Sequence, residues 1–452
     1  MQPTHRTPRH RHRYRRLVRA ACVLAVAAAT AATAAPAQAA PVWGPVTPVD
    51  AAADGARANQ QSQGFGLTAD GRHALFGSAA TNLVPGTGAV RYGLYVRDLR
   101  TGRTELASRA DDGTPLAEAD EQGGISADGR YVVFSAAVNG VYDVYVRDRA
   151  RGRTQRLTDG TGATGGTGDP GSYQPAISGD GRRVVFMSSR ADVVPGAPVE
   201  PGTRNVYLAD RVTGAVRLVS AGADGQPADG PSENPAISEN GRRIGFSSKA
   251  GNLLPAAPGG TAGLFRPRAT TLYATDPATG AVVLAGLAAD GTAGAADSVL
   301  RFSPDGRYAA YGLFVPPLPH GKSRTELFVH DLRTGRVRAV RTSADPAAIC
   351  WASETAAITA DDRWIYFSGG CSATVIPASQ ATYDLQRQEL ATGRTEFIGP
   401  AGDGAPQDGA AVRPFVSGNG RTVLFDDSST NLFPGDPSPY GWQVYARTLG
   451  HR

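Results

Sequence analysis

Ser178-Gly179-Asp180-Gly181-Arg182-Arg183-Val184-Val185-Phe186 reads as a tight turn running into a strand, and the chain writes this phrase seven times. Its anchor recurs as Asp70, Asp128, Asp180, Asn240, Asp305, Asp361 and Asn419. Glycine follows the anchor except in the sixth copy, where Asp362 stands, and then comes Arg72, Arg130, Arg182, Arg242, Arg307, Arg363 or Arg421. Further on each copy has an aromatic residue: Phe76, Phe134, Phe186, Phe246, Tyr311, Phe367 and Phe425. A period of about 58 residues kept over seven copies marks a repeat architecture that closes into a ring.

Outward from the quoted copy the pattern gives four short strands. Pro175 to Ser178 leads into the turn, Arg182 to Ser188 leaves it, and Asn205 to Asp210 and Val216 to Ser220 flank a second turn at Thr213-Gly214. Asp-Gly and Thr-Gly supply the positive φ that tight hairpins need, at no steric cost to glycine. Four-stranded antiparallel units repeated around an axis make an all-β fold, a seven-bladed β-propeller. Blade cores are expected at about 64–108, 123–158, 174–220, 234–286, 299–341, 355–399 and 413–449. The seventh copy runs out after Trp442 to Leu449 without an outer strand. Pro45 to Asp50 resembles the outer strand Thr104 to Ser108, so this N-terminal strand is expected to complete the last blade and remove an exposed sheet edge.

The repeated side chains have scaffold explanations. In an antiparallel blade the start of the second strand lies beside the end of the third, which pairs Arg72 with Asp98, Arg130 with Asp148, Arg242 with Asp276 and Arg363 with Glu389. The aromatics are expected between blades. Asn82-Leu83-Val84-Pro85, Asn252-Leu253-Leu254-Pro255 and Asn431-Leu432-Phe433-Pro434 read as loop anchors.

Residues 1–39 read as an export signal: arginines from Arg6 to Arg19, an apolar stretch from Leu17 to Ala34, and the small-x-small site Ala37-Gln38-Ala39. Its removal takes seven arginines and no acid from 46 basic and 41 acidic side chains, leaving 39 against 41. The basic pI belongs to the leader, so no argument for nucleic acid or anionic lipid survives. Residues 40–452 are expected as a secreted, monomeric propeller without membrane insertion. Cys350 and Cys371 remain after cleavage and are expected to form a disulfide in an oxidising compartment.

Phe302-Ser303-Pro304-Asp305-Gly306-Arg307-Tyr308 resembles the Pro-Asp variety of WD-like repeat found in the propeller domain of TolB-like proteins. The resemblance extends over nearly the whole mature chain and implies the fold. TolB itself works in the envelope through protein contacts and carries a separate N-terminal domain that is not seen here. Propellers of this kind also cap prolyl oligopeptidases, but no G-x-S-x-G elbow is present.

Propellers bind mostly at the axial face where loops from every blade converge. The candidate ligand-binding residues stand just before each innermost strand: Glu121, Gln122, Tyr173, Gln174, Glu233, Asn234, Glu354 and Arg413. Acids of the adjoining loops, such as Asp112, Asp224, Asp290 and Asp408, either cap turns, coordinate Ca²⁺, or draw in a basic or hydroxyl-rich ligand. His73, His320, His330 and His451 are scattered by the repeat, which leaves no histidine triad or histidine metal site. The expected function is a non-catalytic binding module for a protein, peptide or glycan, with no cofactor unless Ca²⁺ is used. The alternatives are a carbohydrate-active or hydrolytic enzyme using mouth carboxylates, and a TolB-like envelope-assembly protein. An enzyme of that kind requires acids that converge in a pocket with raised pKa values.

Overall fold

The seven phrases become seven four-stranded antiparallel sheets, with 28 strands among the described residues. A computed structural model describes residues 43–87, 91–116, 119–138, 140–158, 171–222, 224–254, 270–296, 300–315, 324–341, 349–372, 383–399, 407–432 and 441–450. The export signal expected at 1–39 lies outside the described residues.

Strand β1 (Trp43–Pro48) belongs to the last blade. Blade one is β2 (Ser62–Leu67), β3 (His73–Ser78), β4 (Gly93–Asp98) and β5 (Thr104–Leu106). Blade two is β6 (Ala119–Ile125), β7 (Tyr131–Val138), β8 (Val141–Asp148) and β9 (Arg153–Arg156). Blade three is β10 (Ser172–Ile177), β11 (Arg183–Ser188), β12 (Asn205–Asp210) and β13 (Val216–Leu218). Blade four is β14 (Ser232–Ile237), β15 (Ile244–Ser248), β16 (Thr271–Thr275) and β17 (Val282–Leu284). Blade five is β18 (Arg301–Phe302), β19 (Tyr308–Val315), β20 (Arg324–Asp331) and β21 (Arg336–Val340). Blade six is β22 (Ile349–Ile358), β23 (Trp364–Ser372), β24 (Asp384–Glu389) and β25 (Thr395–Phe397). Blade seven is β26 (Ala411–Val416), β27 (Thr422–Asp427) and β28 (Gln443–Leu449), closed by β1 on its outer edge. The closing strand thus starts two residues earlier than the expected Pro45, and the innermost strand of blade three starts at Ser172, ahead of the expected Pro175.

The phrase is a self-contained turn. Asp70 accepts the Thr68 hydroxyl at 2.6 Å and the Arg72 N–H at 2.9 Å through one carboxylate oxygen, while the Thr68 hydroxyl oxygen accepts the His73 N–H at 2.9 Å. Asn240 and Asn419 make the same two bonds through their amide oxygens. Only one acceptor oxygen is used, which is why aspartate and asparagine interchange at the anchor. Asp362 takes the glycine position of copy six with φ of 56°, a left-handed backbone that Asp tolerates better than most residues.

Seven buried clusters, one per blade-to-blade junction, hold the ring together. That between blades two and three joins Val133, Val144 and Val146 to Val184, Phe186 and Tyr207, and that between seven and one joins Leu424 and Val444 to Phe76 and Tyr95. Each repeated aromatic also faces its strand neighbour within the blade: Phe76 stacks on Tyr95 at 5.6 Å between centroids, Phe186 on Tyr207 at 5.7 Å and Phe425 on Tyr445 at 6.1 Å. Copy six lacks the partner ring, because Gln386 stands opposite Phe367. The arginine pairs form at Asp98, Asp148, Asp210, Asp331 and Glu389. Copy four departs from expectation: the neighbouring Arg243, not Arg242, lies 3.7 Å from Asp276.

Candidate functional site

The innermost strands β2, β6, β10, β14, β18, β22 and β26 run along the axis and give it three layers. At the mouth, six of them slip register against their neighbours at one level, between Gly64 and Gly66, Ala119 and Gly123, Tyr173 and Ala176, Glu233 and Ala236, Ala352 and Ala356, and Val412 and Phe415. A β-bulge re-aims the side chain it carries and bends the strand. In three of these bulges a non-glycine residue takes positive φ directly before a proline: Gln174 at 55°, Asn234 at 54° and Arg413 at 50°. All three are residues the sequence places at the mouth. Gln174 is tied to blade four by accepting the Asn234 N–H at 2.9 Å, and Asn234 donates to the Ser247 hydroxyl at 3.1 Å. Arg413 donates to Asp426 at 2.7 Å. Tyr173 packs against Tyr142 of blade two with ring centroids 5.0 Å apart.

Among the described residues the mouth carboxylates are engaged one by one with other partners. Glu233 is committed to Arg204 at 2.8 Å. The side chains of Glu121 and Glu354 lie outside the described residues, and Gln122 is half-buried on β6. Most described loop acids cap turns: Asp112, Asp224 and Asp290 accept the N–H of Thr114, Gln226 and Thr292. Asp229 and Asp408 latch their loops to the repeated asparagine phrase, where Asn252 and Asn431 accept their N–H groups. Among the described residues no three His, Cys, Asp or Glu side chains are grouped as a metal ion would require.

An acid cluster that the sequence did not reveal lies beside the mouth residue Arg413, at the seam between blades seven and one. Asp50 and Asp426 are fully buried and Asp427 nearly so. Burial pushes Asp50 and Asp426 up to about 7 and Asp427 up to about 6. Asp50 faces Arg57 at 3.2 Å and accepts the Val444 N–H, Asp426 accepts the Gly64 N–H at 2.8 Å, and Asp427 accepts from Ser429 and Gln407. These contacts fasten the N-terminal segment and blade one to blade seven. Burial, against the opposing effect of these contacts, raises the pKa values, and no carboxylate among the three reaches solvent.

Below the mouth is a cavity of about 180 Å³, lined mainly by apolar residues such as Leu67, Ile125, Phe302 and Phe415. One cation enters it, Arg301, whose guanidinium carbon lies 5.3 Å from the centre of the Phe415 ring. The signal was present in the repeat: two places before the phrase's Ser or Thr the copies carry Gly66, Gly124, Ala176, Ala236, Arg301, Ala357 and Phe415. The floor is a belt of backbone hydrogen bonds between successive turns, Gly418 to Ala69, Ala69 to Ala127, Ala127 to Gly179 and Gly179 to Glu239. Gly179 is closely fitted there, since a Cβ on it would meet the Glu239 carbonyl at 3.0 Å and the Ala127 Cβ at 3.2 Å. Glu239 retains solvent exposure at this rim, yet the crowding turns desolvate its carboxyl enough to raise its pKa.

Cys350 and Cys371 form the expected disulfide, directly opposite each other on the β22–β23 hairpin. Among the described residues no helix is long and apolar enough to cross a membrane.

No protein-family model matches the chain, and no curated protein matches it in sequence. Solved structures share its fold. An oligogalacturonate lyase in complex with manganese is 13% identical over 92% of this chain and 99% of its own, with a TM-score of 0.52. The β-propeller domain of the Trilobed protease from Pyrococcus furiosus is 12% identical over 87% of this chain and 97% of its own, with a TM-score of 0.51. TolB from Acinetobacter baumannii is 19% identical over 62% of this chain, with a TM-score of 0.39, and the match spans 53% of that protein's length.

Proposed function

We propose that this chain is an exported, non-catalytic binding module whose ligand, a protein segment, peptide or glycan, seats on the polar axial mouth. The ring of bulges carries the reading. Left-handed non-glycine residues cost on the order of 1 to 3 kcal/mol each and persist only where their surroundings hold them. Gln174, Asn234 and Arg413 sit in such a conformation at one level of the ring, two of them locked to each other across blades. Polar groups fixed in advance lose little freedom when a ligand arrives, which converts more of each contact into affinity. Proline after each of them removes a backbone donor and narrows the choice of conformation further. Secretion rests on the leader and agrees with the Cys350–Cys371 disulfide.

The test is a peptide and glycan array probed with the mature chain, followed by titration of the hits against Gln174→Gly/Asn234→Gly. Glycine keeps the backbone conformation and removes the polar groups, so affinity should fall by about tenfold or more while the melting temperature holds. A blank array, or hits that bind the double variant equally well, would overturn the assignment.

A further inference from the structure

We infer that the axial cavity is a binding site for a small carboxylate carried on an apolar body, with Arg301 as its receptor. Arg301 is the only arginine at its position in the seven copies, where the others carry Gly, Ala or Phe. Among the described residues its guanidinium has no hydrogen-bond or ion-pair partner, and its neighbour is the face of Phe415. Other internal arginines are matched: Arg190 has Asp143 and Asp192, and Arg387 has Glu396. The guanidinium is only half-buried at the cavity, and its donors, which no described protein acceptor takes up, are left for a ligand acid. Consistent with this, desolvation lowers the pKa of Arg301 and no carboxylate acts to restore it. The one acid that lines the same cavity, Glu239, sits at the floor, and its own shift has burial as its sole cause, so the two charges do not neutralise one another.

The walls select the rest of the ligand. The side chains of Ile125, Ile237, Phe302 and Ile358 give an apolar-bodied carboxylate contacts that sulfate and phosphate cannot use, within a lining that also exposes polar atoms. An apolar cavity of about 150 Å³ accommodates benzene, and the 180 Å³ here takes a ring or short branched chain with one carboxylate. Phe415 backs the guanidinium from one side and leaves its in-plane donors for a bidentate carboxylate. The site lies beneath the mouth and does not depend on what the mouth binds.

Calorimetric titration of the mature chain with benzoate, benzamide and sulfate tests the assignment. Benzoate should bind saturably, benzamide and sulfate at least about tenfold more weakly, and Arg301→Met, which keeps the bulk against Phe415, should lose benzoate binding by a similar factor. Equal response to benzoate and benzamide overturns the proposal whether or not the variant folds, as does the absence of any saturable benzoate signal. Undiminished benzoate binding to a folded Arg301→Met protein overturns it too, and would leave Arg301 as a plug of the axial void.

Discussion

Asp70 and Asn419 perform one task with different chemistry, and that equivalence separates scaffold from function at the level of single residues. Both need only an acceptor oxygen, aimed at a hydroxyl and at the N–H two residues on. The repeated arginine is equally undemanding: Arg182 reaches Asp210 at 2.8 Å while still half exposed, and such surface pairs contribute about 0 to 1 kcal/mol. Phe186, fully buried between blades two and three, is different. Phe186→Ala should destabilise by about 3 to 5 kcal/mol and Arg182→Ala by no more than about 1 kcal/mol, as measured by denaturant unfolding. The seam acids give a second residue-level prediction. A carboxyl whose folded pKa is raised holds its proton more tightly folded than unfolded, so its contribution is complete below the ordinary carboxylate range and is lost as pH climbs through the folded value. Asp50 and Asp426 titrate at about 7 in the fold. Thermal stability should therefore decline between about pH 4 and 7, and Asp426→Asn, which keeps an oxygen toward the Gly64 N–H, should flatten that decline. An unchanged pH profile in the variant would show that Asp426 stays ionised throughout.

Among elements, the innermost strands carry what the repeat does not explain. Four strands per blade, their order and the closing strand were legible because period, turn residues and alternation all point the same way. The mouth residues were legible as positions, since the repeat register alone puts Gln174, Asn234 and Arg413 at the head of their strands. Their bulges were not, because an extra residue in one strand shows only when its partner is paired against it. Nor were the seam acids, since Asp50 and Asp426 lie hundreds of residues apart and meet only when the ring closes. Blade six departs most from the common length, with ten residues in β22 and nine in β23, and the disulfide pins the far end of this hairpin. A Cβ at Gly369 would collide with the Trp351 carbonyl, so the two strands are also in close approach. Cys350→Ser/Cys371→Ser should lower stability by about 3 kcal/mol on the chain-entropy account of a loop of this size. Because the hairpin can open alone, limited proteolysis should cut it before the rest of the ring; unaltered cleavage and melting would mean that strand pairing holds the hairpin unaided.

At the scale of the whole molecule, stability rests on closure. Repeats that touch only their neighbours behave as a one-dimensional array until the ends meet, and here the meeting is made by β1 on β28. The strand does more than cover an edge. Val46 is buried in the cluster between blades six and seven, and Trp43 packs edge-on against Tyr366 of blade six with centroids 6.4 Å apart. Just after it, Asp50 and Arg57 engage Val444 and Gln443 of β28. Removing residues 1–48 would take away the apolar contacts, leave the polar latch without its strand, and present the free edge of β28 to solvent. Burial of a valine side chain alone is worth about 1.5 to 3 kcal/mol, and an open edge is a template for pairing with a second chain. The truncated protein should therefore melt several degrees lower than the mature chain and associate as concentration rises, both read by calorimetry and light scattering on the same samples. Val46→Ala separates the two effects: it should lower the melting temperature without changing the association state, because the edge remains covered. If the truncated chain melts with the mature one and stays monomeric at every concentration, β1 is an accessory to the ring and blade seven is sufficient with three strands.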